Sequence, residues 1–229
     1  MIISAGPTHE PIDAVRFIGN RSSGRMGIEL TRAALDAGWR VMLMLGPVCE
    51  SATLKSIIES HHSSLEVRRF RTCEDLRALL DEYAHRADCV IMAAAVADYR
   101  PVANTAMSGG KFRRAEGPIA LQLESTPDLI AGIGAHKARG QLLVGFALEP
   151  AQDLERSARE KLERKNLDIV IANPLETMDS DSVNAMILRR EAPTKTVSGE
   201  MLKRDFAPWV MNIISDAYLA VRRTASMKD

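Results

Sequence analysis

Two glycine-containing stretches follow the first apolar segment of the chain. Gly6 ends that segment, and residues 20–27 contain Ser22, Ser23, Gly24 and Gly27 ahead of an amphipathic stretch. Glycines let backbone N–H groups approach an anion closely, and the N-terminus of a following helix adds a favourable dipole. The pattern therefore predicts an anion-binding turn. Serines that cap the helix and a glycine that permits tight helix–sheet packing would explain it equally well.

A second polar group follows the apolar segment 89–95. Asp98 comes shortly after it, and Lys111, Arg113 and Arg114 lie on the long irregular stretch beyond. Ligands of open α/β sheets bind beyond the carboxyl ends of the strands, and cations on an adjacent loop suit a triphosphate or a developing negative charge. A solvated basic loop is the equally weighted alternative.

Two lysines and one aromatic residue form a third group. Lys161 and Lys165 lie one helical turn apart, where like charges repel and an anionic ligand would relieve the repulsion. Ordinary surface pairs with Glu160 and Glu163 would do the same. Phe146 follows Gly145 at a predicted strand end, where it could flank a base or belong to the core.

The common nucleotide-binding motifs are absent. The sequence has no GxGxxG and no GxxxxGK[ST], and its second predicted strand ends in Leu45 and Gly46, without a carboxylate for a ribose diol. It also has no Tyr-x-x-x-Lys pair. A P-loop NTPase is excluded, and a Rossmann-type NAD(P) oxidoreductase is kept only as a disfavoured alternative.

Composition narrows the class of protein further. The 229 residues include 30 Lys and Arg against 30 Asp and Glu, so no basic excess favours nucleic acid as a partner. The three cysteines form no CxxC and the five histidines no HxxxH, which disfavours a structural zinc site and suits a reducing compartment. No signal peptide is recognisable and no apolar run approaches the ~18 residues of a membrane span. We therefore expect a cytoplasmic protein with no membrane partner.

Short apolar segments alternate with amphipathic ones, which predicts an α/β fold. We expect a Rossmann-like, mostly parallel sheet flanked by helices, with a flexible flap and a small β-hairpin appendage, in a single domain spanning 1–229. Strands are predicted at 1–4, 40–45, 65–70, 89–95, 119–123, 142–146 and 168–172, and helices at 23–37, 73–85, 127–136 and 152–164. The flap is placed at about 96–118, the hairpin at about 184–198 and a closing helix at about 206–222. Capping residues are predicted at Thr72, with Asp75, and at Thr126, before Pro127.

Taken together and in order, six segments resemble phosphopantothenate–cysteine ligase, especially the bacterial form fused behind a flavin-dependent decarboxylase. The resemblance covers roughly residues 2–190. The segments are ISAGPTHEPID at 3–13, NRSSGRMG at 20–27, AAVADYR at 94–100, KFRR at 111–114, GFALE at 145–149 and KLERKNLDIVIAN at 161–173.

The resemblance implies a two-step reaction of coenzyme A biosynthesis. The carboxylate of 4′-phosphopantothenate attacks the α-phosphate of CTP, which gives an acyl-cytidylate and pyrophosphate, and the amine of cysteine then displaces CMP. The implied small molecules are phosphopantothenate, cysteine and CTP, with Mg²⁺ bound mainly through phosphate oxygens and no protein ligand named. The resemblance also implies a homodimer with active sites near the subunit interface, and a separate flavin-dependent decarboxylase as a further partner.

The resemblance assigns roles residue by residue. Asn20 matches the asparagine needed for turnover of the acyl-nucleotide, and Lys111 matches the first lysine of a KxKK motif that stabilises the transferring phosphoryl group. Gly24 and Gly27 match the glycine-rich turn. The other residues of the predicted nucleotide site are Gly6, Ser22, Ser23, Ala94, Asp98, Pro127, Asp128, Leu129, Ile130, Phe146, Lys161 and Lys165.

The sequence departs from the family pattern at four places. KxKK reads KFRR here, Thr126 replaces the usual asparagine before Pro-Asp, Pro150 follows GFALE in place of the usual threonine, and Arg25 replaces the commoner lysine. Arginine and lysine differ in geometry, so ATP stays open as an alternative nucleotide. A non-catalytic nucleotide-binding protein of the same fold is the principal alternative function.

Overall fold

The computed structural model describes residues 1–49, 51–61, 63–102, 120–177 and 180–226. Its strands are β1 (Ile2–Ala5), β2 (His9–Pro11), β3 (Phe17–Gly19), β4 (Val41–Leu45), β5 (Leu65–Arg69), β6 (Cys89–Met92), β7 (Tyr99–Pro101), β8 (Leu123–Ser125), β9 (Leu142–Glu149), β10 (Ile169–Pro174), β11 (Ser182–Arg189) and β12 (Ala192–Leu202). Its α-helices are α1 (Arg25–Asp36), α2 (Ala52–Ser60), α3 (Cys73–Tyr83), α4 (Leu129–Ala135), α5 (Leu154–Arg164) and α6 (Lys203–Ser226).

Eight strands form one sheet in the order β12-β11-β10-β9-β6-β1-β4-β5. The strands from β10 to β5 pair in parallel, whereas β11 pairs antiparallel with both β10 and β12. The chain moves outward from β1 to β4 and β5, and then returns to place β6 on the other side of β1. The direction of winding therefore reverses between β1 and β6, and such a switch point opens a crevice beyond the carboxyl ends of the strands.

Apolar side chains cover both faces of the sheet, as parallel strands require. Ile3 packs on the face covered by α1 and α6, while its neighbour Ile2 packs on the face covered by α3, α4 and α5. The alternation of consecutive side chains explains why the central strands read as continuous apolar runs. The predicted α/β fold with a mostly parallel sheet is confirmed.

The predicted C-terminal hairpin is present and is longer than expected. Its strands β11 and β12 extend the main sheet at one edge, because β11 pairs with β10 from Ile169–Arg189 to Ala172–Met186. Helix α2 and the β2–β3 ribbon were not predicted from the sequence. Most of the predicted flap falls on residues 103–119, which lie outside the described residues, although β7 occupies its beginning.

Three local predictions are wrong. The strand placed at 119–123 is instead β8, Leu123–Ser125, which pairs with β7 in a separate two-stranded ribbon. The strand placed at 89–95 ends at Met92. The fourth helix is capped by Asp128, whose Oδ1 accepts from the N–H of Ala131 at 3.3 Å, while the Thr126 hydroxyl donates to the carbonyl of Ala97 at 2.6 Å.

None of the helices in the described part of the chain combines the length and the apolar character needed to cross a bilayer.

Candidate functional site

A cavity of about 890 Å³ opens beyond the carboxyl ends of β6, β9 and β10, beside the point where the winding of the sheet reverses. Its walls are formed by loops and by the starts of α1, α4 and α6, and α5 closes one end. Its lining residues include Asn20, Ser22, Ser23, Gly24, Gly27, Ala94, Asp98, Pro127, Asp128, Leu129, Ile130, Phe146, Lys161 and Lys165. Residues predicted from separate segments of the sequence therefore share one cavity.

The glycine-containing turn is shaped by close packing. Gly24 caps α1 with a φ of 72°, a conformation that side chains with a Cβ rarely adopt. A Cβ on Gly27 would lie 2.4 Å from the Cβ of Ala5, so this glycine lets α1 pack directly against β1. Gly6 is not among the residues that line the cavity. Its backbone nitrogen lies 3.3 Å from the position of a Cβ on Gly24, so it packs beneath the turn.

The first turn of α1 faces the cavity, and no side chain of the helix start caps its N–H groups or balances their partial positive charge. The helix has no hydrogen bond from a capping side chain and no acidic residue in its first turn. The alternative in which Ser22 or Ser23 caps the helix is therefore not supported, because Gly24 with its positive φ is the cap. Free N–H groups at a helix start carry a partial positive charge, and this one can accept an anion.

Asn20 bridges the glycine-containing turn and the loop that follows β6. Its Nδ2 donates to the carbonyl of Val96 at 3.0 Å. The loop is held from below, since Ser4 Oγ accepts from the N–H of Ala94 at 3.2 Å and Thr8 Oγ1 accepts from the N–H of Ala97 at 2.9 Å. The amide of Asn20 is thus held at the cavity wall.

Lys161 lies at the opposite end of the cavity and is partly buried. Its ammonium group donates to the carbonyl of Phe146. Burial, reinforced by repulsion from Lys165, lowers the pKa of Lys161 to about 8, against the opposing attraction of Asp128 and Glu149. Lys161 is thus mainly charged at pH 7, and a lysine pKa lowered in this way is typical of functional sites.

Lys165 forms an ion pair with Asp128, whose carboxylate lies 2.8 Å from its ammonium group. Burial alone would raise the pKa of Asp128, but the hydrogen bond and the charge of Lys165 outweigh it and the pKa is lowered. The described contacts place neither Lys161 nor Lys165 in an ion pair with Glu160 or Glu163. The surface-pair interpretation of these lysines is therefore not supported.

Several residues of the cavity were not predicted. Lys203, Asn173 and Thr177 line it, as does Arg25, which the sequence analysis treated only as a departure from a motif. Asn173 comes directly after the strand predicted at 168–172, just as Asp98 comes after the strand predicted at 89–95, so its position carried a usable signal. Lys203 begins a helix that was predicted to start at 206, and nothing in the sequence connects it with the cavity. Lys111 lies outside the described residues.

The cavity offers no cluster that resembles a protein-built metal centre. No group of three or more His, Cys, Asp or Glu side chains suited to a metal ion occurs among the described residues. The wall instead combines amide, backbone N–H and cationic groups, which suit a phosphorylated ligand.

The chain is similar to a known protein family and to several known proteins. A sequence model of the DNA/pantothenate metabolism flavoprotein C-terminal domain matches residues 1–218. A cysteine/cysteine sulfinic acid decarboxylase of an unknown prokaryotic organism is 41% identical over 176 residues, which cover 77% of this chain and 46% of that protein. The coenzyme A biosynthesis bifunctional protein CoaBC of Bacillus subtilis (strain 168) is 38% identical over 176 residues, which cover 77% of this chain and 40% of the relative. This chain thus spans less than half the length of these relatives.

Solved structures share the fold. The C-terminal domain of the coenzyme A biosynthesis bifunctional protein CoaBC superimposes with a TM-score of 0.73 at 28% identity, over 93% of this chain and 92% of that one. A Cab2 mutant in complex with phosphopantothenate-cysteine superimposes with a TM-score of 0.78 over 96% of this chain and 87% of that one, and at 18% identity it supports the fold alone. The resemblance found in the sequence is confirmed at the level of the family: the chain belongs to the DNA/pantothenate metabolism flavoprotein C-terminal domain family.

Proposed function

We propose that this chain is a phosphopantothenate–cysteine ligase of coenzyme A biosynthesis that uses CTP and forms an acyl-cytidylate. One observation carries the proposal: a single cavity joins the amide of Asn20, the open start of α1 and the lysines of α5. Membership of the family and the similarity to CoaBC proteins support the same activity.

The chemistry requires activation of a carboxylate, which is a poor electrophile. In the first step a carboxylate oxygen of phosphopantothenate bonds to the α-phosphorus of CTP, and the bond to the bridging oxygen breaks to release pyrophosphate. In the second step the cysteine nitrogen bonds to the acyl carbon, CMP leaves with the bond electrons, and the nitrogen loses a proton. The protein's tasks are to align the reactants and to stabilise developing negative charge.

Asn20 has the chemistry required at the acyl carbon. A neutral amide can donate a hydrogen bond to the activated carbonyl. A positively charged side chain in its place would also attract the unreacted carboxylate of phosphopantothenate. Its Nδ2 already lies 3.0 Å from the carbonyl of Val96, which fixes its direction. We assign Asn20 to turnover of the acyl-nucleotide, and Lys111, beyond the described residues, to the transferring phosphoryl group.

The α5 end of the cavity suits the nucleoside part of CTP. Phe146 offers an aromatic ring, and Lys161 and Lys165 stand beside it. The backbone at Pro127–Ile130 completes this wall, with Asp128 held in place by Lys165. A pyrimidine base fits this description as well as a purine does, so the choice of CTP over ATP rests on the family resemblance.

Magnesium would accompany the triphosphate. The ion would be held mainly by phosphate oxygens. When bound, Mg²⁺ would neutralise part of the phosphate charge. Asp98 and Glu149 are carboxylates of the lining that could contact its water shell.

We further propose that the active form is a cytoplasmic homodimer. The β2–β3 ribbon beside Asn20 exposes Val15 and Phe17 at 59% and 45%, and the adjoining β7–β8 ribbon exposes Tyr99 at 55%. Exposed apolar groups concentrated next to a site fit an interface between subunits. A separate flavin-dependent decarboxylase would act next on the product of the ligase.

Pyrophosphate release tests the proposed function. The purified protein is supplied with phosphopantothenate and Mg²⁺, with CTP or ATP, and with or without cysteine. We expect release that requires phosphopantothenate, favours CTP and continues for many turnovers only when cysteine is present. No release with either nucleotide from folded protein would contradict the proposal. Tight CTP binding without release would then indicate a non-catalytic nucleotide-binding protein.

A further inference from the structure

Two cations at the glycine-rich end of the cavity lie outside the predicted site. Arg25 is the first residue of α1 and Lys203 is the first residue of α6, and both line the cavity. The two helices lie side by side, since the Nη2 of Arg32 donates to the carbonyl of Arg204 at 3.1 Å. Their starting residues therefore reach the same end of the cavity from different parts of the sequence.

A single short turn holds both cations. The carboxylate of Asp181 accepts a hydrogen bond from Arg25, and the carbonyl of Ser180 accepts one from the ammonium group of Lys203. The carbonyl of Asp181 also accepts from the N–H of Lys203 at 2.9 Å. We refer to Arg25, Lys203 and these two turn residues as the cation clasp.

The Arg25–Asp181 pair is exposed to solvent. The side chains of Arg25 and Asp181 are 56% and 77% exposed. Exposed ion pairs contribute little to stability, because water and salt screen them. A ligand with several negative charges can therefore replace the Asp181 carboxylate at small cost, which a buried pair would not permit.

We propose that Arg25 and Lys203 bind the terminal phosphates of the nucleoside triphosphate and the pyrophosphate that leaves, with Asp181 as an exchangeable partner in their absence. This inference rests on the proposed function and adds two residues to its site. The start of α1 lies beside them with no acidic residue in its first turn, so backbone N–H groups and two side chains converge on one anion. The nucleoside, placed at the Phe146 end, would extend toward this clasp across the cavity.

Titration calorimetry with pyrophosphate and Mg²⁺ tests the clasp directly. Arg25→Gln and Lys203→Gln should each weaken pyrophosphate binding by about tenfold, since each removes a charge-assisted hydrogen bond. The affinity for CMP, which lacks the terminal phosphates, should change by less than about twofold. Asp181→Asn should tighten pyrophosphate binding by about twofold to fivefold, because a competing carboxylate is removed.

Arg204→Gln is the matched control. It removes the same charge from the next residue of α6, whose guanidinium lies 3.8 Å from Asp205 and does not line the cavity. Its pyrophosphate affinity should match that of the wild type. If Lys203→Gln fails to fold, Lys203→Arg keeps the charge and should bind pyrophosphate within about threefold of the wild type.

The outcomes separate this inference from the proposed function. Equal pyrophosphate binding by Arg25→Gln, Lys203→Gln and the wild type would overturn the clasp, even if ligase turnover is observed. An equal loss in Arg204→Gln, or no pyrophosphate binding by the wild type, would overturn it as well. Absence of turnover with phosphopantothenate would refute the ligase, while a selective loss of pyrophosphate binding in the two variants would still support an anion site.

Discussion

The two ends of the cavity both carry two cations, but they hold them differently. At the α5 end, Lys165 is 12% exposed and pairs with Asp128, and Lys161 is partly buried against the carbonyl of Phe146. At the α1 end, Arg25 is 56% exposed and pairs with an Asp181 that is 77% exposed. The α5 lysines are fixed by packing, whereas the Arg25–Asp181 pair is a contact that water can replace.

This difference indicates that the two ends of the cavity suit different parts of a ligand. Partly buried, compensated lysines resist displacement and suit a part of the ligand that keeps one position. Exposed cations suit a group that must bind and then leave, since their partner can exchange with it at small cost. The reaction proposed here has both kinds of group: a nucleotide that stays through two steps and a pyrophosphate that departs after the first.

Asn20 lines the cavity beside the glycine-containing turn, and its replacement should have the largest effect. Asn20→Asp places a carboxylate against the carbonyl of Val96 and beside the activated acyl group, so we expect product formation to fall by about 100-fold or more. CTP affinity should change much less, because the proposed function assigns the residue to the acyl group rather than to the base. Product formation measured with phosphopantothenate, CTP and cysteine checks this expectation.

The control for this substitution is Asn184→Asp on the exposed face of β11. It makes the same chemical change at an exposed residue that does not line the cavity and should leave turnover intact. Wild-type turnover in folded Asn20→Asp protein would remove Asn20 from the mechanism.

Gly27→Ala should destabilise the α1 end selectively. The new Cβ would lie 2.4 Å from the Cβ of Ala5, so α1 must move away from β1. We expect a loss of about 1–3 kcal/mol in the free energy of unfolding, together with weaker pyrophosphate binding. Urea denaturation and calorimetry measure the two effects.

Gly132→Ala is the matched substitution on α4, where an added Cβ meets nothing within 4 Å. Alanine is the better helix former, so this variant should be more stable by about 0.5–1 kcal/mol. Equal stability changes in both variants would contradict the packing argument for Gly27.

The pH dependence of nucleotide binding should distinguish the two ends. The pKa of Lys161 is lowered to about 8, so its charge is present below that pH and is lost as the pH rises through it. Affinity of the free protein for CTP should therefore fall by about tenfold between pH 7 and pH 9, well before an ordinary lysine loses its charge.

Lys161→Arg sharpens this test, because arginine stays protonated throughout the range. The fall in affinity between pH 7 and pH 9 should disappear in this variant, even if its affinity at pH 7 is lower. A wild-type affinity that is constant over the range would show that Lys161 does not bind the nucleotide as a cation.

The elements that follow from local sequence were predictable. Thr72 and Asp75 form the expected capping box, with the Thr72 N–H donating to Asp75 Oδ2 at 2.9 Å and the Asp75 N–H donating to Thr72 Oγ1 at 3.1 Å. The buried strands were recognisable because both of their faces are apolar. Asp98 was predicted because ligands bind beyond the carboxyl ends of parallel strands, whereas Asn20 and Pro127–Ile130 were assigned from the family resemblance.

The features that were missed depend on contacts between distant residues. Thr126 was taken for a helix cap, yet its hydroxyl is bonded to Ala97, which lies 29 residues earlier. Gly24 caps α1 because its backbone packs against Gly6 and Val48, and a capping preference read from serines cannot show this. Lys203 reaches the cavity only because α6 packs beside α1, and the sequence contains no short-range sign of that packing.

The smallest expected effect is that of removing the carboxylate that forms an ion pair with Lys165. Asp128→Asn keeps an acceptor for the cap of α4 but removes the carboxylate paired with Lys165. The folded-state pKa of Asp128 is lowered, so its contribution to stability is present above the unfolded pKa and is lost as the pH falls through the folded value. Because the Asp128 side chain is 38% exposed, we expect the variant to lose less than about 1 kcal/mol at pH 7.

Urea denaturation at pH 7 and again below the folded pKa of Asp128 measures this contribution. The difference between variant and wild type should shrink in acid, where the wild-type carboxyl is also neutral. The same substitution should move the midpoint of the CTP pH profile below about 8, since Asp128 is the carboxylate that most strongly raises the pKa of Lys161. An unchanged midpoint would show that the charge of Asp128 does not affect the pKa of Lys161. The contrast between the two ends of the cavity would then rest on burial alone.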